Sequence, residues 1–167
     1  MANKKIYRWI ALGAAVLALL ALIMAFVPTV KILTTDKWKS FSSFSVAFGS
    51  VIDSGYTTTK FTFNFVGFLA LVFFIPGFVL AIVAAAKSEG KKALSIVSAV
   101  FLILSGILMF LLLPVARIYA VGDTKLYKLD AEIFSETVKK ASGSVLYGVV
   151  ALLSGVASIV SAVFNKN

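Results

Sequence analysis

Glu132 and Glu136 stand one helical turn apart, and with Asp130 just before them they form a carboxylate cluster. Paired carboxylates can hold a cation or share acid–base work, but only if further ligands converge on them from other segments. Lys128, Lys139 and Lys140 lie close by in the chain, which points to ordinary ion pairs on a helix surface. Ser54-Gly55 and Ser154-Gly155 supply hydroxyls without a basic partner to activate them. Histidine is absent, which removes the commonest general base. Cysteine is absent as well, so disulfides, thiolate metal sites and thiol nucleophiles are all excluded. No Walker loop, dinucleotide fingerprint or metal-ligand spacing occurs. The expectation is a protein with no catalytic, cofactor-binding or metal-binding residue, and not an enzyme.

What the chain does have is uncharged length. Trp9–Val30, Phe61–Ala86, Ala93–Ala116 and Ala141–Asn165 contain none of the 16 basic and 7 acidic residues. A bilayer core of about 30 Å needs roughly 20 apolar residues of helix, so each stretch is long enough to cross once. Only helices satisfy their own backbone groups within such a segment. The composition, 60% hydrophobic and 14% charged, is far from that of a soluble globular chain. The predicted fold is an all-α membrane protein: one four-transmembrane-helix domain with spans at 9–30, 61–86, 93–116 and 144–164. Between them lie outer loops at 31–60 and 117–143 and an inner loop at 87–92. The first apolar run exceeds the usual length of a signal-peptide core and is expected to stay uncleaved. The net charge of +9 reads as a topology signal and an attraction to anionic lipid rather than to nucleic acid.

Basic residues close to helix ends set orientation. Lys4, Lys5, Arg8, Lys87, Lys91, Lys92 and Lys166 crowd into short segments with a single acid, Glu89. The remaining basic residues are spread through the two long loops among six acids. Charge density therefore predicts both termini in the cytoplasm of a cell (plasma) membrane protein.

Within the spans, Ala11, Ala14, Ala18, Ala21 and Ala25 repeat at 3-4 spacing, and Gly148, Ala151, Gly155, Ser158 and Ala162 repeat the device in the last span. Small side chains let helix backbones approach closely, so these seams suit either the interior of one bundle or contact with a second copy. Pro76-Gly77 is expected to kink the second span. Ser95, Ser98 and Ser105 can bond to backbone on their own or a neighbouring helix.

The outer loops have strand character. In Ser43–Phe48 the alternation places Phe44, Val46 and Phe48 on one strand face. Asp53-Ser54-Gly55 supplies a turn before the strand-rich run 56–63, and Val30–Thr35 and Lys125–Leu129 offer further strands. Together these predict a small extracellular antiparallel β-sheet. Asp130 is placed to cap a short helix with Glu132 in its first turn and Lys139-Lys140 in its last, pressed down by Ile133, Phe134 and Val138. Trp9, Trp38, Tyr7 and Tyr119 are expected to anchor at the membrane interfaces.

This order of four spans, a strand-bearing first outer loop and a very short inner loop resembles the layout of claudins and peripheral-myelin-protein-like tetraspans. The chain departs from the claudin first-loop signature: Trp38 stands alone, and the Gly-Leu-Trp group and two cysteines are missing. Barrier or paracellular-pore roles are therefore not implied. Its Lys-Lys flanks and phenylalanine content also resemble small four-span proteins of low-GC Gram-positive bacteria, which implies location and no activity.

The functional expectation is interaction or membrane and envelope organisation through the outer loops. Partners would be membrane lipids together with a second copy or another membrane protein. A passive channel or an accessory subunit of a transporter is the alternative, with Pro76-Gly77 at the pathway. The absence of any charge inside the spans argues against coupled transport. Single cysteines replacing Ser54 and Ser135 should react with an impermeant maleimide on intact cells, and one replacing Ser88 should not; labelling at Ser88 alone would reverse the orientation.

Overall fold

The computed structural model describes residues 2–33, 37–53, 58–86, 92–119, 125–129, 131–132 and 136–164, with the backbone alone at 2–5, 52–53 and 58–59. Four helices dominate it: α1 (Ala2–Met24), α3 (Phe65–Ala86), α4 (Lys92–Phe110) and α6 (Gly143–Phe164). Each is long and apolar enough to cross a membrane, with mean hydropathy between 2.1 and 2.8. They pack as a ring: α1 lies against α3 and α6, and α4 against α3 and α6. The short helices α2 (Ser43–Phe48) and α5 (Leu112–Val115) and seven strands lie at one end of that ring. Pro76 sits inside α3, which continues to Ala86.

The third apolar stretch is not a single helix. Its helical run stops at Phe110, a turn at Leu111 follows, and α5 carries Pro114 before the chain becomes extended at Ala116. At the first stretch, turn bonds from Ala25, Phe26 and Val27 back into α1 end the helix. The chain then becomes β1 (Pro28–Leu33).

Two antiparallel sheets replace the single one expected. In the first, β1 is central, paired with β2 (Trp38–Ser42) on one side and β7 (Val138–Lys140) on the other. In the second the order is β3 (Val51–Asp53), β4 (Thr58–Phe61), β5 (Arg117–Tyr119) and β6 (Leu126–Lys128). Each sheet joins the outlets of two neighbouring helices. Strand β1 leaves α1 and β7 enters α6; β4 leads to α3 and β5 follows α4 through α5. Val30 and Ile32 of the first sheet and Phe61 and Ile118 of the second face inward. They join Ala21, Leu102, Leu112 and Tyr147 in one continuous core.

Two local expectations are corrected. Ser43–Phe48 is helix α2, not a strand. The Ser42 side chain accepts a hydrogen bond from the Ser45 N–H at 3.4 Å and so caps a helix that sequence alternation alone does not reveal. Gly49 ends it at φ 78°, where an added Cβ would lie 2.9 Å from the Phe61 carbonyl oxygen. Only glycine combines that backbone angle with that approach. Conversely, the helix expected to run from Asp130 to Lys140 does not reach its end, because Val138–Lys140 is strand β7. Its residues exchange backbone bonds with Val30–Ile32, and the ladder is prolonged by Leu33 N–H to the Thr137 carbonyl and Ala141 N–H to the Thr29 carbonyl, both 2.8 Å. A non-local ladder outweighs the weak helix preference of a short charged run. Asp130, Ile133 and Phe134, and the turn expected at Ser54-Gly55, lie outside the described residues.

Gly143 marks the point where the first sheet meets α6. A Cβ there would press on the Val27 carbonyl, on Thr29 Oγ1 at 2.6 Å and on the Pro28 carbonyl at 2.7 Å. Gly13 on α1 has nothing within 4 Å of the same position. Gly143→Ala should therefore destabilise the protein in detergent by about 1–3 kcal/mol. Gly13→Ala should be neutral or stabilising by up to about 1 kcal/mol. Thermal unfolding of the two variants side by side checks the pair.

Candidate functional site

Serine and tyrosine hydroxyls inside an apolar helix assembly must find acceptors, because an unpaired one retains its full desolvation cost. Here they find carbonyls on neighbouring helices. Tyr7 of α1 donates to the Ala84 carbonyl of α3 at 2.9 Å. Ser98 and Ser105 of α4 donate to the carbonyls of Gly77 and Ala70 in α3 at 2.8 and 2.7 Å. Ser154 of α6 donates to the Ala14 carbonyl of α1 at 2.7 Å. Ser105 also lies 2.8 Å from the Tyr147 hydroxyl of α6. Since the one serine proton is directed at Ala70, the Tyr147 O–H is the donor in that contact. Every adjacent pair in the ring is thus bridged by a hydroxyl.

The two seams of small residues divide between neighbours. Ala11, Ala14, Ala18 and Ala21 of α1, and Ala25 in the turn after it, are all buried within the chain. On α6, Gly148 and Gly155 face α4. A Cβ on Gly148 would meet the Phe110 ring at 2.9 Å and the Gly106 carbonyl at 3.1 Å; one on Gly155 would meet Ile103 at 2.6 Å. Gly106 and Gly148 therefore let two backbones touch. Ser158 is buried too. Gly77 receives Leu102 of α4, 2.9 Å from where its Cβ would be, and its carbonyl is taken by Ser98. Ala18, Ala21, Gly77, Gly148, Gly155 and Ser158 are therefore packed inside this chain. Ser95 and Ser161 are buried, and their hydroxyls have no partner among the described residues.

Tyr7 is a clamp rather than an interface anchor, since it is only 2% exposed. Trp38 holds the first sheet together, with the Lys139 ammonium 4.6 Å from its ring centroid across the central strand. Glu132 and Glu136 are exposed. Among the described residues no group of three or more His, Cys, Asp or Glu side chains comes together.

Asn64 is not among the residues singled out from the sequence. Its Oδ1 accepts from the N–H groups of Val66 and Gly67 at the start of α3, and its Nδ2 donates to the Leu112 carbonyl at 2.9 Å. Its own N–H bonds the Ala47 carbonyl that ends α2. One 5%-exposed residue therefore ties α3 to α5 through its side chain and to α2 through its backbone N–H. An Asn three residues before a small residue at a helix start was the available signal.

At the same end, six phenylalanines form a connected set around α2. Phe26 lies 4.8 Å from Phe44, Phe44 stacks on Phe48 at 6.2 Å, and Phe48 meets Phe68 edge-on at 6.0 Å. Phe63 and Phe65 join through Phe68. Phe44 and Phe48 thus share a face because they are one helical turn apart, whereas Val46 points into the core. Phe26, Phe48, Phe63 and Phe65 are at least half exposed. Beside them a cleft of about 400 Å³ is lined by Ser50, Val51, Lys60, Phe63 and Tyr119. No protein-family model, curated protein or solved structure matches the chain.

The Ser105–Tyr147 contact lends itself to a double-mutant cycle. Tyr147→Phe should cost about 1 kcal/mol or less. Ser105→Ala should cost about 1–3 kcal/mol, because it strands the buried tyrosine hydroxyl. Adding Tyr147→Phe to Ser105→Ala should then restore stability. Strict additivity in thermal unfolding would show that the two hydroxyls do not interact.

Proposed function

We propose that this is a non-enzymatic, multi-pass membrane protein that acts by binding another membrane or envelope protein through its phenylalanine-rich end. The distribution of side-chain size supports membrane insertion. Large apolar residues such as Val16, Leu19, Ile75, Val79, Val100, Ile107, Leu153 and Val163 lie on the outside of the ring, while alanine, glycine and serine fill much of its inside around Phe74, Leu102, Met109 and Tyr147. A surface of that kind aggregates in water and is the ordinary exterior of a protein in lipid. The density of basic residues near the helix ends supports a plasma-membrane protein with both termini in the cytoplasm and both sheets outside.

The observation that carries the interaction reading is the exposed phenylalanine set around α2. The strand edges are poor docking sites, since β2, β7, β3 and β6 carry Lys39, Lys139 and Lys140, Asp53 and Lys128, the charges that discourage edge pairing. Large aromatic rings held in place by one another lose little entropy on binding and suit a contact surface. The claudin-like layout is a matter of element order and contributes no residue to this surface. Against a channel, the carbonyl of Gly77 is occupied by Ser98 and the glycine itself is filled by Leu102.

Purified protein in liposomes should show no ion or solute flux above that of empty vesicles. In native membranes, a photocrosslinking residue in place of Phe63 should yield a discrete protein adduct that Phe48→Ser abolishes. Flux removed by Pro76→Ala with the fold intact would establish the channel reading. Adducts to lipid alone would reduce the phenylalanines to anchors and overturn the interaction reading.

A further inference from the structure

The opposite end of the molecule carries a second cleft, of about 490 Å³, where the start of α1 meets the end of α3. Arg8, Trp9 and Leu12 line it from α1, and Ala85 lines it from α3. We propose that this cleft binds the phosphate of an anionic phospholipid, with the lipid's first acyl carbons descending along Leu12. The inference rests on the membrane reading above and not on the proposed protein–protein contact.

Depth is the first argument. The uncharged run of α1 begins directly after Arg8 and that of α3 ends at Ala86, just before Lys87, so both runs reach their limit at the level of the cleft. Arg8 therefore stands where headgroups lie, and Leu12, one turn further along the same face, stands where acyl chains begin. Trp9 is 73% exposed beside them. An indole at that level buries its ring among glycerol and upper acyl carbons and offers one N–H donor.

Shape is the second. Ala84, Ala85 and Ala86 make the last turn of α3 thin, which is why there is room between the two helices. The width is held rather than collapsible: immediately beside the cleft, buried Tyr7 donates to the Ala84 carbonyl. A cavity of this size accommodates a phosphoglycerol headgroup.

Charge is the third. Arg8 presents a planar fork of donors that pairs bidentately with phosphate oxygens. The first turn of α1 carries no acid, and the only acid in the three short segments at this end of the sequence is Glu89, against seven basic residues. The end as a whole therefore favours an anion, and among the described residues Arg8 is the cation that lines the cleft.

Trp9 can report its own neighbour. Trp38→Phe leaves it the sole tryptophan, since the chain has two. This variant is reconstituted in phosphatidylcholine vesicles containing equal small fractions of brominated phosphatidylglycerol or brominated phosphatidylcholine, and quenching of Trp9 is compared. The expected preference for the anionic lipid is about five-fold, the effect of one interfacial cation. Arg8→Gln should abolish it, Arg8→Lys should keep part of it, and Lys92→Gln, a neutralisation elsewhere at the same end, should leave it. Soluble glycerol phosphate should not compete. Equal quenching by both lipids, or equal loss in Arg8→Gln and Lys92→Gln, would reduce the effect to diffuse attraction and overturn the proposal. Competition by glycerol phosphate would overturn the lipid assignment. Absence of quenching by either lipid would instead refute membrane insertion itself.

Discussion

A helical carbonyl has two lone pairs, and the helix uses one of them. The assembly of this molecule depends on the second. The acceptors that tie its helices together belong to Ala14, Ala70, Gly77 and Ala84, and none carries a side chain larger than a methyl group. That is a steric requirement: a serine oxygen reaches a main-chain carbonyl on a neighbouring helix only where nothing screens it. Small residues therefore do two things at once, permitting backbone approach and exposing an acceptor. In lipid, where apolar faces gain little from meeting each other, such bonds average about 0.6 kcal/mol each, and close dispersion contact supplies the rest.

The end that carries the sheets obeys the same rule of polar satisfaction by different means. Once the chain leaves a helix, its N–H and C=O groups need new partners, and sheets supply them within a few residues. Thr29 and Ser43 share a 2.8 Å hydroxyl contact that holds α2 against β1, and the rings of Phe41 and Phe61 touch across the two sheets at 5.5 Å. Phe48 is exposed because α2 turns Val46 and Ala47 to the core and leaves Phe44 half-buried beside it.

The four long helices were legible because hydropathy over twenty residues is a strong signal. The alanine and glycine seams were legible for the same kind of reason, a repeat matched to the helical period. What the spacing lacked was direction: Gly148 and Gly155 meet α4 while Ser154 meets α1, and no linear pattern distinguishes two neighbours of one helix. Ser43–Phe48 misled because its apolar residues at 44, 46, 47 and 48 fit both periods over so short a run. The cap from Ser42 settles it, and such caps are worth about 1 kcal/mol. Val138–Lys140 misled because the strand it pairs with lies more than a hundred residues earlier in the chain. Tyr7 and Asn64 carry no periodic signature at all; their importance lies in single acceptors on other helices.

The pairing of β1 with β7 has a consequence for how the chain is made. Lys31 faces Lys139 across that ladder, and α1 lies against α6, so the first helix synthesised must wait for the last before its sheet and its longer flank are complete. The α3–α4 hairpin is in the opposite position: its connecting segment is short and its sheet closes as soon as β5 emerges. Local contacts close quickly and distant ones slowly. Biogenesis would thus pass through a stage in which a finished inner hairpin sits beside an unpartnered α1, with Ala14, Ala18 and the middle strand of a sheet still open. A truncated product lacking the last helix would be left with that seam and that strand uncovered, and would be the form most prone to capture by chaperone or protease.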